Sequence, residues 1–339
     1  MEVLIIDLHD VQQRLNALAE AHRVVVLADE TTVDVCYPRV GNEHTEVVVV
    51  PKGESAKTLE VAQFVWQSLY DMGYTRNDYL VTVGGGAITD LGGFVASTFM
   101  RGMNLIHIPT TLLAMVDASI GGKTGIDFGG LKNSVGTFYS PKEVWVSLAF
   151  LETLDRNDLL SGYGEILKYG LLIGKDYLCS INTDEEITPF MLQTAIQYKI
   201  DVVTSDFEDK GERMHLNLGH TSAHALEALY ISRGEFLPHG VAVSAGLVVA
   251  LYLSYRRYGL EQEVLTSFVR QVQSIMPVVY FTCDDYDDLW QLALKDKKRL
   301  SSKELTMVLL HDIGQPFTHN VSRHDFFEAL DFYRDFMGF

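Results

Sequence analysis

The stretch "YLVTVGGGAITDLGG", Tyr79 to Gly93, decides the fold. An apolar, β-branched run ends in three glycines, Gly84, Gly85 and Gly86, and a helix pattern starts at Ala87, so a strand turns directly into a helix. The alternation continues on both sides. Strand-like runs occur as "VLII" from Val3, "RVVVLAD" from Arg23, "EVVVV" from Glu46, "NLIHIP" from Asn104 and "VWVSL" from Val144. Helical periodicity fills the intervals, as in "TLEVAQFVWQSLYDMG" from Thr58. Alternating strands and helices predict an α/β domain over residues 1–150, with a Rossmann-like, doubly wound, mostly parallel sheet.

After Phe150 the pattern turns to long helical periodicities, at 156–170, 188–206, 218–230, 240–258 and 261–275, and only "LTMVLL" from Leu305 resembles a strand. Residues 151–339 are therefore expected to form a mostly α-helical domain, with ligands bound in the cleft that such a junction creates. The apolar run "VAVSAGLVVALYLSY" from Val241 falls short of the roughly 20 residues of a membrane span and reads as a core helix.

Composition narrows the function. With 47% hydrophobic and 21% charged residues and no low-complexity tract, the chain is expected to fold throughout. A net charge of −18 repels nucleic acid and anionic lipid, which argues against both as partners but leaves a small anion possible in a locally cationic pocket. Cys36, Cys179 and Cys283 form no C-x-x-C pair and read as reduced, buried thiols. The opening "MEVLIIDLHD" has acids where a secretion signal needs bases, so a cytoplasmic enzyme is expected.

Gly84 to Gly86, at a strand end and a helix start, suit a phosphate, because glycine lets the backbone approach closely and the helix N-terminus favours negative charge. The spacing is not G-x-G-x-x-G, and a tight turn without a ligand explains the glycines as well. Glu54 in "KGESAK" suits ribose hydroxyls, although Glu54 and Lys57 also read as a solvated helix start.

A second cluster lies in "RGMNLIHIPTTLLAMVDASIGGKTGIDFGGLKN", where Arg101, Asp117, Lys123, Lys132 and Asn133 stand among glycines and threonines. Its lysines suit a phosphate or carboxylate, with ordinary surface lysines as the alternative. In "SGYGEILKYG", Glu165 and Lys168 share a helix face, and an exposed ion pair is the simpler reading. His220 and His224 in "GHTSAH" have the i, i+4 spacing of a two-histidine metal site, without the Glu of H-E-x-x-H, and His239 follows in "PHGV". Spacing alone leaves open which of the three binds a metal.

In order and over about 50–330, these segments closely resemble the 3-dehydroquinate synthases, within the sugar-phosphate cyclases; "PTTLLAMVDASIGGKTG" followed by "KN" carries the likeness most specifically. The resemblance implies a phosphate-eliminating lyase of the shikimate pathway, serving chorismate and aromatic amino acid biosynthesis. It would convert 3-deoxy-D-arabino-heptulosonate 7-phosphate to 3-dehydroquinate and phosphate, with NAD used catalytically and Zn2+ or Co2+ bound. The implied metal ligands are Glu165, His220 and His239. Implied phosphate contacts are Lys123, Asn133, Asn217, His224, one of Lys297 and Lys298, and Arg101 from a partner subunit, hence a homodimer. Lys199 and Arg213 would take the carboxylate, Asp117 and Lys168 the ring hydroxyls. For NAD the matches are Asp29, Glu54, Lys57, Gly86, Ala87, Ile88, Thr89, Asp90, Thr110, Thr111, Lys123, Lys132, Phe150, Leu151, Glu152 and Thr153.

Four positions depart from the family pattern. Val241 follows "HG" where Glu is common, which puts in doubt a carboxylate behind His239, Asp209 stands for Glu, Leu131 for Gly and Ala223 for Gly. The competing expectations are a cyclase for sedoheptulose 7-phosphate or glucose 6-phosphate, a glycerol-type dehydrogenase, and an inactive NAD-binding protein.

Overall fold

A computed structural model of the chain describes residues 1–42, 44–129, 131–181, 186–296 and 305–339. Its contacts divide into two compact units, Met1–Leu159 with Leu192–Glu208, and Leu160–Met191 with Asp209–Phe339. This division differs from a single cut at 150. Leu192–Glu208 is counted with the first unit, where the Phe207 ring meets that of Phe138 with centroids 5.7 Å apart.

The first unit runs β1 (Glu2–Ile5), α1 (Leu8–Ala21), β2 (Val24–Asp29), α2 (Thr32–Val35), β3 (Glu46–Val50), α3 (Leu59–Asp71), β4 (Tyr79–Gly84), α4 (Gly86–Thr98), β5 (Asn104–Pro109), β6 (Lys123–Phe128), β7 (Leu131–Phe138) and β8 (Glu143–Val146). Six strands form one sheet in the order β1-β8-β5-β4-β2-β3, with every pair parallel. Every residue of β2 is buried, which is why it reads as a continuous apolar run. The Asp7 carboxylate caps α1, accepting from the Asp10 N–H at 2.8 Å, and the Thr58 hydroxyl caps α3. The six strand-like runs of the sequence are these six strands. The antiparallel pair β6–β7 was not expected, since all eight residues of β7 except Thr137 are exposed and show no alternation.

The chain continues through α5 (Arg156–Ile173), α6 (Lys175–Ser180) and α7 (Pro189–Ser205), then α8 (His220–Ser232), α9 (His239–Tyr258), α10 (Gln262–Ile275), α11 (Tyr286–Asp296), the antiparallel pair β9 (Leu305–Leu310) and β10 (Pro316–Val321), and α12 (Arg323–Met337). In the second unit α9 is the core helix, buried at every residue from Gly240 to Leu251 and in contact with α8, α10, α12 and β9. Among the described residues no helix is long and apolar enough to cross a membrane. β10 gave no strand signal because Thr318, His319 and Asn320 are all exposed. Cys36 is buried, but Cys179 and Cys283 are exposed, contrary to the expectation of three buried thiols. Cys283 lies on a surface turn with the Arg334 Nη1 donating to its Sγ at 2.7 Å.

Candidate active site

In the first unit the chain order reverses between β2 and β4, since β3 lies on one side of β2 and β5 on the far side of β4. Parallel sheets bind ligands beyond the carboxyl ends of strands at such a point. The carboxyl end of β2 is Asp29, that of β4 is Gly84, and Gly85 precedes α4 as its N-cap residue, without any side-chain cap. The first amides of α4, at Gly86 and Ala87, therefore face outward as an anion-binding helix N-terminus would, with Ile88 and Thr89 closing on the Gly85 carbonyl at 3.1 Å. Thr110 and Thr111 follow β5 alongside, the Thr110 N–H donating to the Gly84 carbonyl at 3.0 Å. Asp29 Oδ1 accepts from the Thr31 and Thr32 N–H groups at 2.9 and 2.8 Å, which holds its carboxylate at the strand end.

Lys57, 2% exposed, comes from the turn after β3. Its ammonium donates to Asp90 Oδ2 at 2.8 Å and to Asn133 Oδ1, and lies 3.7 Å from Glu54. Burial pulls the lysine pKa down, but Asp90 and then Glu54 outweigh it and raise it above the ordinary value. Burial raises Asp90 despite Lys57 beside it. Phe150, Leu151, Glu152 and Thr153 form the turn after β8, with Glu152 paired to Arg39 at 2.9 Å and the Thr153 hydroxyl 3.7 Å from Cys36 Sγ. Lys123 and Lys132 are exposed on β6 and β7. Asp117 sits in a π-helical turn, Ala114–Ala118, and the Lys199 ammonium donates to its carboxylate at 2.6 Å and its carbonyl at 2.5 Å.

In the second unit three helices converge. Glu165 on α5 is fully buried, and its Oε1 lies 3.3 Å from His220 Nε2 on α8 and 3.2 Å from His239 Nε2 at the start of α9. One ligand atom from each lies within 4.8 Å of the others, the one such group among the described residues. Two imidazoles and a carboxylate fit zinc or cobalt with positions left for substrate. Lys168, one turn along α5 and 1% exposed, contacts Glu165 Oε2. Burial alone would raise the Glu165 carboxyl, but Lys168 and then His220 hold it well below the ordinary range. Burial lowers His220, whereas at His239 bonds to Glu165 and Glu227 overcome burial and raise the imidazole to about 10. The His224 ring lies 5.5 Å from that of His220 and 6.3 Å from that of His239.

Glycine contacts hold this triad. A Cβ on Gly164, next to Glu165, would fall 2.1 Å from the Gly240 carbonyl oxygen, next to His239. A Cβ on Gly246 would fall 2.0 Å from the carbonyl oxygen of Gly219, which precedes His220 at φ +80. Each ligand is thus seated where two backbones touch.

Charge burial marks the same positions. Among the described residues the buried Asp, Glu, Lys and Arg side chains are Asp29, Lys57, Glu165, Lys168, Lys199 and Arg213, all of them candidates from the sequence. Buried charges are costly and persist where they are paired or used. Outside glycine, positive φ occurs at Met100, Arg101, Asn133 and Asp209, and such backbone strain clusters at functional sites. Arg101 is exposed, and Asn217 and His224 are partly buried. Lys297 and Lys298 lie outside the described residues. Sequence reasoning missed Glu227, whose Oε1 lies 3.4 Å from His239 Nδ1; its one signal was the seven-residue spacing from His220.

Comparison with known proteins gives a consistent picture. Residues 47–161 match the family model described as 3-dehydroquinate synthase N-terminal, and residues 162–299 that described as 3-dehydroquinate synthase C-terminal. The 3-dehydroquinate synthase of Parabacteroides distasonis is 37% identical over 327 residues, covering 93% of this chain and 92% of that one. That of Pyrococcus furiosus is 37% identical over 337 residues, covering 96% of each. Among solved structures, 2-epi-5-epi-valiolone synthase from Streptomyces hygroscopicus with NAD+ and Zn2+ bound superposes with TM-score 0.83 at 25% identity, covering 98% of this chain and 96% of that one. A 2-deoxy-scyllo-inosose synthase complexed with carbaglucose-6-phosphate, NAD+ and Co2+ gives TM-score 0.83 at 22% identity, covering 97% and 95%, a likeness of fold.

Proposed function

Since the chain belongs to the 3-dehydroquinate synthase family, we propose that it converts 3-deoxy-D-arabino-heptulosonate 7-phosphate to 3-dehydroquinate and inorganic phosphate. The sequence is transient oxidation of a ring hydroxyl, loss of phosphate, reduction, ring opening and intramolecular aldol closure. One observation carries the reading: the buried charged side chains of the described residues all fall on positions that the family resemblance assigns to metal, dinucleotide or substrate.

NAD supplies the reversible hydride acceptor when bound, and a divalent cation, Zn2+ or Co2+, supplies Lewis acidity toward the substrate hydroxyls. The chain's residues do the rest. The uncapped start of α4, Gly86 to Asp90, takes the pyrophosphate, and Asp29, Glu54, Lys57, Lys132, Thr110, Thr111 and the 150–153 turn hold the remainder of the dinucleotide. Glu165, His220 and His239 hold the cation. Lys199 and Arg213 receive the carboxylate, Lys123, Asn133, Asn217 and His224 the phosphate, and Asp117 and Lys168 the ring hydroxyls. Fixing a flexible anion at both ends aligns its reacting carbons, a positional form of catalysis. The departing phosphate can remove the proton for its own elimination, so no protein base is assigned. By the same resemblance the enzyme is a cytoplasmic homodimer in which Arg101, on an exposed strained turn, serves the partner's phosphate site.

The test is phosphate release from the heptulosonate by protein supplied with NAD+ and Zn2+, with and without chelator. Phosphate and 3-dehydroquinate should form together without net NADH. Turnover restricted to sedoheptulose 7-phosphate or glucose 6-phosphate would overturn the substrate assignment, and accumulating NADH would indicate a glycerol-type dehydrogenase.

A further inference from the structure

On α8, His220, His224 and Glu227 are separated by four and three residues. At about 100° per residue the seven-residue step from His220 to Glu227 returns to the same face two turns along. Glu227 thereby reaches His239, the first residue of α9, with Oε1 3.4 Å from Nδ1. The opposite ring nitrogen, Nε2, points to Glu165 at 3.2 Å. His220 is arranged in the same way. Its Nδ1 lies 3.2 Å from the Leu218 carbonyl oxygen and its Nε2 3.3 Å from the same Glu165 oxygen. Both histidines of the triad are therefore anchored through Nδ1 and present Nε2 inward.

The two anchors differ chemically. A carbonyl dipole holds His220, whereas a carboxylate holds His239. A carboxylate accepting from Nδ1–H fixes the tautomer with the Nε2 lone pair free for a cation, and its charge makes that lone pair a stronger donor. Position 241, one residue beyond Gly240, offers only a buried valine, so the carboxylate for His239 comes from α8 and not from α9.

We infer that Glu227 is a positioning residue for the metal centre, which acts through His239 by fixing its ring orientation and tautomer. The inference rests on Glu165, His220 and His239 holding the cation. It makes α8 serve the centre twice, with a ligand at its first residue and the support of a second ligand two turns later.

The experiment compares the parent protein with E227Q, E227D and E227A. Zn2+ affinity is read by competition with a chromophoric chelator, the Co2+-loaded visible spectrum reports ligand geometry, and thermal unfolding of metal-free protein reports the fold. E227Q keeps the shape and an acceptor oxygen but loses the charge, and should bind Zn2+ about 10-fold more weakly; E227A should lose up to about 100-fold. The Co2+ bands should shift in both, and E227D should recover part of the affinity. Metal-free E227Q should unfold closer to the parent than E227A does, since it keeps the shape and an acceptor oxygen and loses only the charge facing His239. Zn2+ binding by E227Q and E227A within about twofold of the parent, with an unchanged Co2+ spectrum, overturns the inference. So does a metal-free E227Q as destabilised as E227A, which would make Glu227 a packing residue. A parent that takes no zinc sinks the metal reading itself, a result distinct from either.

Discussion

Replacing Gly164 by alanine tests whether backbone contact sets the metal geometry. The new methyl would lie 2.1 Å from the Gly240 carbonyl oxygen, 2.4 Å from its Cα and 2.5 Å from its carbonyl carbon, none of which can swing aside. Ordinary contact begins at 3.4 Å, so α5 and α9 must part by about 1.3 Å at that point. Gly164 adjoins Glu165 and Gly240 adjoins His239, so the displacement passes into two donors that now lie 3.2 Å apart. Metal–ligand distances tolerate about 0.2 Å. Overpacking costs about 1–3 kcal/mol, and the better helix propensity of alanine returns roughly 1 kcal/mol. Stability should therefore fall by no more than about 2 kcal/mol, while Zn2+ affinity falls at least about tenfold. Metal-free urea unfolding and chelator competition, run on the same preparations, separate the two effects. A G164A protein that binds Zn2+ within about twofold of the parent would refute the claim that this glycine contact positions the ligands.

His220→Ala should abolish Zn2+ binding and activity together, whereas His224→Ala should keep the metal and lose rate; equal loss of metal in both would show that their roles are not divided. His107, buried beside the Thr82 hydroxyl at 2.7 Å, is lowered by burial to about 3. The unfolded chain takes up this proton below about pH 6.5 and the folded chain does not, so stability is complete above pH 6.5 and falls as pH drops toward 3, by about 4–5 kcal/mol over the full range. H107Q should lose less stability than the parent between pH 7 and pH 4 in urea titrations, and equal losses would contradict this. Lys199→Met removes the ammonium from both Asp117 acceptors and should cost about 1–3 kcal/mol in urea unfolding, with unchanged stability as the contrary result.

The parallel sheet was legible because its strands are buried on both faces and are therefore apolar throughout, β2 at every residue. The β6–β7 pair was not, because an exposed strand needs no alternation, and its lysines and Asn133 read as loop. At the metal site the i, i+4 spacing pointed to His220 with His224. The structure instead gathers His220 with Glu165 and His239 from three separate helices, a grouping that periodicity cannot encode and that entered through family resemblance. Glu227 escaped notice because a helical Glu has a sufficient reading as a solvated residue, and only the position of α9 makes it a partner of His239. Lys57, Lys168 and Lys199 were named as candidates, but their burial was not legible, since lysine in sequence reads as surface.

The glycine contacts also govern how this scaffold can diverge. At Gly164, Gly240 and Gly246 backbone atoms of a neighbouring element occupy the volume a side chain would need, so selection has almost no alternative residues to sample there. The same holds on β7 at Gly136, where a Cβ would fall 2.1 Å from the Thr124 carbonyl oxygen. The helices bearing Glu165, His220 and His239 should therefore change only by coordinated replacement of both members of a touching pair.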